Sequence, residues 1–462
     1  MNKIFFLFSL WTAKLIGFLI STFHIGQASN FPGKVALVLK KNILQDFKFN
    51  KDFKIILISG TNGKSTTCGI LANILKTSGK KVIYNKSGAN LLPGIITTFS
   101  HYSSILGNLN CSFVILEVDE ATLPLLTTQL KPDLIAITNF FRDQLDRFGE
   151  LDTTVKLIEK GINNCPSTTF VLNADDPRVA FLKSKNKKIY YGIGVDIPSE
   201  NLYNNSWLSD PEEVTVCPEC KSDLSFTKKF LAHLGDYKCS KCNLKRPEID
   251  FLVSSIKTDN LSTNIDIVNA TFNNNKNNFF LPMIGTFNIY NALCTITIAK
   301  TISNITPVQI QKGFQTYSTI FGRGEKLNIN NKTAWIYLIK NPTGTTEVLK
   351  TLLKIPNARF LIAINDNFAD GRDISWLWDA RFDILSSHKK EIYISGKRAY
   401  DMALRLNYAN LKKEQIKVNE NITSAINNAT KSLDKEETLF ILPTYTVLLE
   451  MQKKRLCKGQ PL

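Results

Sequence analysis

Histidine and acid are both scarce in this chain. Only His24, His101, His233 and His388 occur in 462 residues, and none stands in a motif beside a cysteine. That leaves no candidate for a self-contained cysteine–histidine hydrolase, which needs its thiol and base within hydrogen-bond reach. Acid falls short of base, 40 Asp and Glu against 57 Lys and Arg, for a formal net charge of +17. Such an excess attracts nucleic acid, an acidic membrane surface or a phosphorylated substrate alike, and does not choose among them. A secreted disulfide framework is also missing. Of nine cysteines, four cluster (Cys217, Cys220, Cys239, Cys242) and five are scattered, which fits a reducing cytosol and one metal site. No internal repeat is visible, and long apolar runs are confined to the N-terminus, where Ile4–Ala13 and Leu15–Phe23 flank Lys14. Three readings of that segment stay open: a helix packed on the protein or lying at a membrane interface, a bilayer anchor, or an export signal. The nucleotide loop described next and the unpaired cysteines weigh against export.

The length suits two or three domains with large cores. Apolar runs at Lys54–Ser59, Ser112–Val118, Asp133–Thr138, Thr168–Leu172 and Lys188–Tyr191 are spaced by helix-sized segments. This is the pattern of βαβ units around a parallel sheet covered on both faces. The stretch Ser199–Asp250 breaks the rhythm and reads as an insertion. Asn273–Asn278 reads as a polar turn in a hairpin, and Gly285–Ile302 as a helix after a tight turn. A second α/β stretch begins near Phe321, with strands at Arg359–Asn365, Glu391–Ser395 and Thr438–Leu442. The basic end Lys453–Lys458 reads as solvated. The expected fold class is therefore α/β, in three parts: an apolar, amphipathic helical segment over 1–50, an ATP-binding unit over 51–316 with an insertion at about 206–250, and a C-terminal unit over 317–462.

The chemistry starts at Ile58-Ser-Gly-Thr-Asn-Gly-Lys-Ser-Thr-Thr67, directly after an apolar run. A strand feeding a glycine-rich turn and a helix aims backbone N–H groups at phosphates. Lys64 suits the β- and γ-phosphates, and Ser65 or Thr66 suits Mg²⁺. The general form of this loop has glycine where Ile58 stands, so this is a shorter variant, Gly60–Ser65. Downstream, Glu117, Asp119 and Glu120 end a strand, where open α/β sheets place ligand groups, and Glu117 could hold Mg²⁺. Thr138-Asn139, Arg142-Asp-Gln-Leu-Asp146 and Asn173-Ala-Asp-Asp-Pro177 follow later strands. Cys217-Pro-Glu-Cys220 and Cys239-Ser-Lys-Cys242, eighteen residues apart, form two knuckles that fill all four positions of a tetrahedral Zn²⁺, which marks a structural site. Asp366–Asp379 packs four acids, Arg372, Trp376 and Trp378 into fourteen residues after a strand.

In these motifs the chain resembles the Mur ligase superfamily. Gly285-Thr-Phe-Asn288-Ile-Tyr-Asn291-Ala looks like its adenine-contacting turn and helix, and Gly322-Arg323-Gly-Glu325 like its ATP-contacting arginine motif. The resemblance implies a Mur-ligase-type central ATPase with a parallel sheet, here carrying an inserted Cys₄ zinc ribbon, and a Rossmann-like C-terminal domain. It implies ATP and Mg²⁺ as cofactors, activation of a carboxylate as an acyl phosphate, and attack by an amine. Gly60, Thr61, Asn62, Gly63, Lys64, Ser65, Thr66, Asn288, Asn291 and Arg323 would bind the nucleotide, Lys64 and Glu117 would serve catalysis, and Ser65 and Glu117 would hold Mg²⁺. The sequence departs from the superfamily twice. Gln144 stands where histidine is usual, and the stretch Leu338-Ile-Lys-Asn341-Pro342 lacks the usual aspartate. Lys160 stands at a plausible spacing for the carbamylated lysine, though a surface lysine fits as well. About fifty residues precede the first strand, too few for a UDP-binding domain, which a lipid-carried substrate would not need.

With the Cys₄ site, Asn341–Gly344, Ser395–Tyr400 and Leu442–Thr446, the Asp366–Asp379 segment resembles the amidating branch of the superfamily, the ligase subunits of lipid II isoglutaminyl synthases. That resemblance implies a GatD-like glutaminase as heterodimer partner and lipid II at the inner face of the plasma membrane as substrate. The product would be D-isoglutamine made from the stem-peptide D-glutamate, with no role for nucleic acid. Asp373 would be catalytic by orienting the partner's histidine, although its place before Ile-Ser-Trp also suits a helix N-cap. Trp376 and Trp378 suit core or interface equally. Two other readings compete: a stand-alone ligase adding an amino acid, related to folylpolyglutamate synthase, and a zinc-ribbon NTPase that binds nucleic acid.

Overall fold

The computed structural model describes residues 2–23, 30–85, 88–141, 151–195, 216–259, 262–269, 276–318, 322–329 and 331–457. His24, Arg142–Asp146 with Gln144, the first part of the insertion up to residue 215, Asn273–Asn275, Phe321 and Lys458 lie outside them.

Helix α1 (Asn2–Phe23) contains no acid and one glycine, and it packs beside α2 (Phe31–Leu39), whose Pro32 sits in the first turn, where a missing N–H costs nothing. Phe6, Leu10 and Ala13, at helical spacing, are buried against Ala36, Ile43, Phe47 and Phe99. Ser9 donates its hydroxyl to the Ala36 carbonyl at 2.8 Å. The N-terminal segment is thus a helix packed on the protein along one stripe. Lys3–Phe23 is also long and apolar enough to cross a bilayer by length and composition.

The main sheet contains β1 (Lys54–Ser59), β2 (Val82–Tyr84), β3 (Phe113–Glu117), β4 (Leu134–Ile137), β5 (Thr169–Asn173) and β6 (Lys188–Ile193). A separate hairpin, β7 (Leu224–Leu231) with β8 (Leu234–Cys239), precedes β9 (Phe251–Asp259), β10 (Ser262–Asn269) and β11 (Asn277–Leu281). The nine-stranded order is β11-β10-β9-β6-β5-β4-β1-β3-β2. The seven strands from β9 to β2 pair in parallel, and β10 and β11 continue the sheet antiparallel. Side chains alternate between two cores. Ile56, Ile58, Ile115 and Ala136 face α3 (Lys64–Thr77), while Ile55, Leu57, Val114 and Ile137 face the layer with α4 (Leu92–Tyr102) and α5 (Leu151–Asn163). The first core is completed by α6 (Thr286–Ile302), buried around nearly its whole circumference, and α7 (Pro307–Thr316).

The second sheet holds β12 (Arg323–Ile329), β13 (Lys332–Tyr337), β14 (Ala358–Ala363), β15 (Ile392–Ser395), β16 (Ile416–Val418) and β17 (Thr438–Pro443). Its order is β12-β13-β17-β14-β15-β16, parallel except for the β12–β13 pair.

The apolar runs foreseen from sequence all become strands, within a residue or two at their ends. Two things differ. The edge strand β2 has three residues and leaves little periodic signal. The β9–β11 meander was expected only as a polar turn, and Asn277 and Asn278 belong to β11, opposite Ile267 and Asp266. Lys160 is exposed on α5, the position of a surface lysine.

Docking of α1 has a direct thermodynamic consequence. Leu10→Ala removes a fully buried side chain and should cost about 2–5 kcal/mol. Phe8→Ala, at a position 57% exposed, should stay within about 0.5 kcal/mol. Denaturant unfolding of both variants in detergent-free buffer reads the difference.

Candidate active site and metal centre

The loop between β1 and α3 closes because two glycines take left-handed backbone, Gly60 at φ 115° and Gly63 at φ 87°. Neither position has room for a side chain. A Cβ on Gly60 would come 2.5 Å from Thr138 Oγ1, and one on Gly63 would come 2.1 Å from Asn291 Oδ1. The loop is held from the next strand end. Thr61 N–H donates to the Asn139 carbonyl at 2.8 Å and Asn62 N–H to Asn139 Oδ1 at 2.9 Å. The Thr138 hydroxyl donates to the Asn62 carbonyl at 2.7 Å. On α6, Asn288 Nδ2 donates to Ile284 O at 2.8 Å and Asn291 Nδ2 to Asn288 Oδ1 at 3.3 Å. The helix start named for the adenine thus lies against the phosphate-type loop.

Lys64 opens α3 and is buried. Its ammonium donates to the carbonyls of Gly60 and Thr61 and, at 3.0 Å, to Glu120 Oε1. Burial opposes its charge, but Glu120, Glu117 and Asp119 outweigh that and hold its pKa above the usual lysine value. Burial in turn pushes the Glu120 carboxyl up, against the pull of Lys64. Glu117 ends β3 with its backbone gripped by Asn85, which accepts its N–H and donates to its carbonyl, both at 2.8 Å. Ser65 is half-buried in the first turn of α3. A hydroxyl and a buried carboxylate at one sheet end are an all-oxygen donor set, the kind Mg²⁺ takes. Thr66 is buried in the same turn.

The second sheet brings its own strand ends to this place. Asn341 caps α8 (Pro342–Leu352) by accepting Gly344 N–H at 2.8 Å, and its Nδ2 donates to Asn62 Oδ1 at 3.0 Å, across 279 residues of sequence. Tyr445 opens α9 (Tyr445–Lys453) close enough to Glu117 and Asp370 that their charges, added to burial, raise its pKa. Asp370 is buried and accepts the Thr446 N–H at 2.7 Å and the Asn367 N–H at 3.2 Å. Lys397 donates to Asn367 Oδ1 at 2.6 Å, and Arg398 pairs with Asp366 at 2.6 Å. The Asp366–Asp379, Ser395–Tyr400 and Leu442–Thr446 motifs therefore meet at one end of the second sheet. Arg323 is the first residue of β12, opposite Tyr337.

Asp373 is exposed, and its Oδ1 accepts the Ser375 N–H at 2.8 Å. The alternative that it caps a helix does not hold. The helix is Trp376–Asp379 and its N-cap is Ser375, so Asp373 braces the turn ahead of it. Trp376 packs partly on the core. Trp378 is half exposed, edge-to-face with Tyr408 at 5.4 Å.

The four cysteine Sγ atoms lie within 4.8 Å of one another, with Cys217–Cys242 at 3.5 Å and Cys220–Cys239 at 3.4 Å. A tetrahedron of thiolates with Zn–S bonds of ~2.3 Å has edges of about 3.8 Å, so the set fits the ion. Each knuckle is followed by a left-handed residue, Lys221 and Asn243. The hairpin below the site is tied to the main sheet through the Asn173–Pro177 loop, where Gly235 N–H donates to the Asp175 carbonyl at 2.9 Å and the Tyr237 hydroxyl to the Ala174 carbonyl at 3.0 Å. The acids of this loop hold structure. Asp175 accepts from the Tyr290 hydroxyl at 2.7 Å and forms an ion pair with Arg246 at 2.6 Å, and burial still pushes its carboxyl up to about 6. Asp176 caps Pro177–Ala180 and accepts the Phe140 N–H at 2.8 Å. Sequence reading placed Asn341, Tyr445 and Glu120 in motifs without pairing Asn341 with the loop or Glu120 with Lys64, and it did not single out Asn85, which left no local signal.

Residues 58–216 match the Mur ligase middle domain, and residues 338–448 match the family described as MurT ligase C-terminal. The chain is 34% identical to the lipid II isoglutaminyl synthase (glutamine-hydrolyzing) subunit MurT of Streptococcus pneumoniae, over 93% of each chain. It is 32% identical to the subunit of the same name from Staphylococcus aureus, over 92% of each. Among solved structures, a pseudomurein peptide ligase type C from Methanothermus fervidus superposes with a TM-score of 0.64 at 24% identity, covering 89% of this chain and 81% of that one.

The cysteine geometry carries its own test. Elemental analysis of the purified protein should find zinc, which Cys220→Ser and Cys239→Ser should each remove, with a lowered thermal midpoint. Cys111→Ser, at a buried position away from the cluster, should keep it. Unchanged zinc in both knuckle variants would refute the Cys₄ site.

Proposed function

Because the chain belongs to the MurT family of Mur ligases, whose members are ATP-dependent ligases, we propose that it amidates the α-carboxylate of D-glutamate in the lipid II stem peptide, with ammonia delivered by a GatD-like glutaminase. The observation that carries this reading is the meeting of two strand ends. One bears the nucleotide loop, and the other bears the acid-rich Asp366–Asp379 segment, and the Asn341–Asn62 hydrogen bond joins the two units. In this reading residues 1–50 are an N-terminal segment, 51–316 the ATP-binding unit and 317–462 the unit that meets the glutaminase.

The backbone N–H groups of Gly63, Lys64 and Ser65 at the start of α3 and the ammonium of Lys64 would face the phosphates, with Asn288 and Asn291 on the adenosine side and Arg323 as a further contact. Ser65 and Glu117 would hold Mg²⁺, which neutralises phosphate oxygens when bound. A carboxylate oxygen of the glutamate attacks the γ-phosphorus, the bond to the β–γ bridging oxygen breaks, and ADP leaves. Ammonia attacks the resulting acyl phosphate at carbon. Phosphate departs with the former carboxylate oxygen, and the nitrogen loses a proton to give the amide. Proximity and preorganised charge carry most of such a reaction.

The chain's four histidines supply no glutaminase base, so the nitrogen source is a partner. Phe368, 79% exposed, and Trp378 flank Asp373 on the C-terminal unit and suit anchors for that partner. Asp373 orients the partner's catalytic histidine, the third-group role in nucleophilic triads.

With ATP, lipid II and ammonium, the chain alone should give the amide by mass spectrometry. With glutamine it should give none until the glutaminase is added. Asp373→Asn should abolish glutamine-dependent product and leave ammonium-dependent product intact. Amide from glutamine with the chain alone, or addition of an amino acid in place of ammonia, would overturn the reading.

A further inference from the structure

The N-terminal helix presents two apolar stripes and buries only one. Phe6, Leu10 and Ala13 face the core, whereas Ile4, Phe8, Trp11, Leu15 and Phe18 recur at helical spacing on the opposite side and are exposed. Phe5, Leu19 and Phe23 widen that stripe. The surface continues onto the loop after α4, because Trp11 Nε1 donates to the Ile105 carbonyl at 2.8 Å, and both Ile105 and Leu106 are exposed. The neighbouring α2 exposes Phe31, Val38 and Leu39. An apolar surface of this extent marks an interaction site.

Charge selects the occupant. Over residues 2–49 the chain carries six lysines (Lys3, Lys14, Lys34, Lys40, Lys41, Lys48) and a single acid, Asp46, which pairs with Lys40 at 3.2 Å. Lys3, Lys34, Lys41 and Lys48 are exposed. An apolar face on a segment with this excess of cations complements acyl chains below anionic headgroups, and it repels a second copy of itself. The geometry also fixes the mode. Ser9 is tied to Ala36, Lys14 to the Ser103 carbonyl at 2.6 Å and Trp11 to Ile105, so the helix is strapped lengthwise to the domain. A perpendicular crossing would have to strip all three contacts and the buried stripe.

We infer that the outward face of α1, with Ile105 and Leu106, is an interfacial docking surface for an anionic bilayer, in which the helix lies flat. The inference concerns adhesion alone and stands whether or not the amidation reading does.

The test is flotation of the full chain with phosphatidylglycerol–phosphatidylcholine vesicles and with phosphatidylcholine alone. The chain should float with the anionic vesicles, bind the zwitterionic ones at least tenfold more weakly, and lose binding in high salt. Alkaline carbonate should release it. The triple variant Phe8→Ser/Leu15→Ser/Phe18→Ser should keep the wild-type unfolding midpoint and lose at least tenfold in vesicle binding, and Ile105→Ser/Leu106→Ser should weaken it independently. Absence of flotation, undiminished binding by both variants, or retention after carbonate, as for a spanning helix, would overturn the inference. So would a concentration-dependent dimer, seen by light scattering, that the triple variant abolishes.

Discussion

Lys64 keeps its charge in a buried place because carboxylates surround it. An isolated ammonium there would lose its proton to the cost of desolvation. Glu120 meets it at 3.0 Å, and Glu117 and Asp119 add to the field. Each depends on where the chain turns at the ends of parallel strands. β1 ends in the loop that starts α3, and β3, its neighbour in the sheet, ends in the three acids. The loop can approach only because Gly60 and Gly63 carry no side chain. A lysine so held is preorganised for polyphosphate, and the acids beside it supply oxygen donors for a divalent cation.

The second sheet takes its meaning from that centre. Its strand ends point at the loop, and the bond from Asn341 to Asn62 registers one unit against the other. Asp370 is locked by Thr446 and Asn367 in the interior, whereas Asp373, three residues on, stands in solvent. A single acid-rich segment therefore serves two ends, one bracing the cleft and one offered outward. The hairpin that carries the four cysteines stands apart from the chemistry and is held to the sheet through Asp175 and Asp176.

Much of this was legible in the sequence, and for physical reasons. The parallel strands announced themselves as continuous apolar runs because both faces are covered. The loop and the cysteine knuckles are local motifs whose spacing fixes their geometry. What escaped depends on distance along the chain or on weak periodicity. Nothing near Asn85 signals that it grips the backbone of Glu117, and nothing near Asn341 signals that its side chain meets Asn62. Asn173–Pro177 showed in the sequence only as a motif after a strand, and its acids serve the fold: Asp175 pairs with Arg246 and accepts from Tyr290, and Asp176 caps a helix N-terminus. β10 does alternate, with Thr263, Ile265, Ile267 and Asn269 inward, but the polar residues among them obscured the pattern.

The central claim is that phosphate is transferred to the substrate carboxylate before nitrogen arrives. Lipid II carrying heavy oxygen in the α-carboxylate of its D-glutamate, turned over with ATP and ammonium, tests it most directly. The mass spectrum of the released phosphate should show one heavy oxygen for each amide formed. Phosphate free of the label, alongside normal amide yield, would contradict carboxylate phosphorylation at this site.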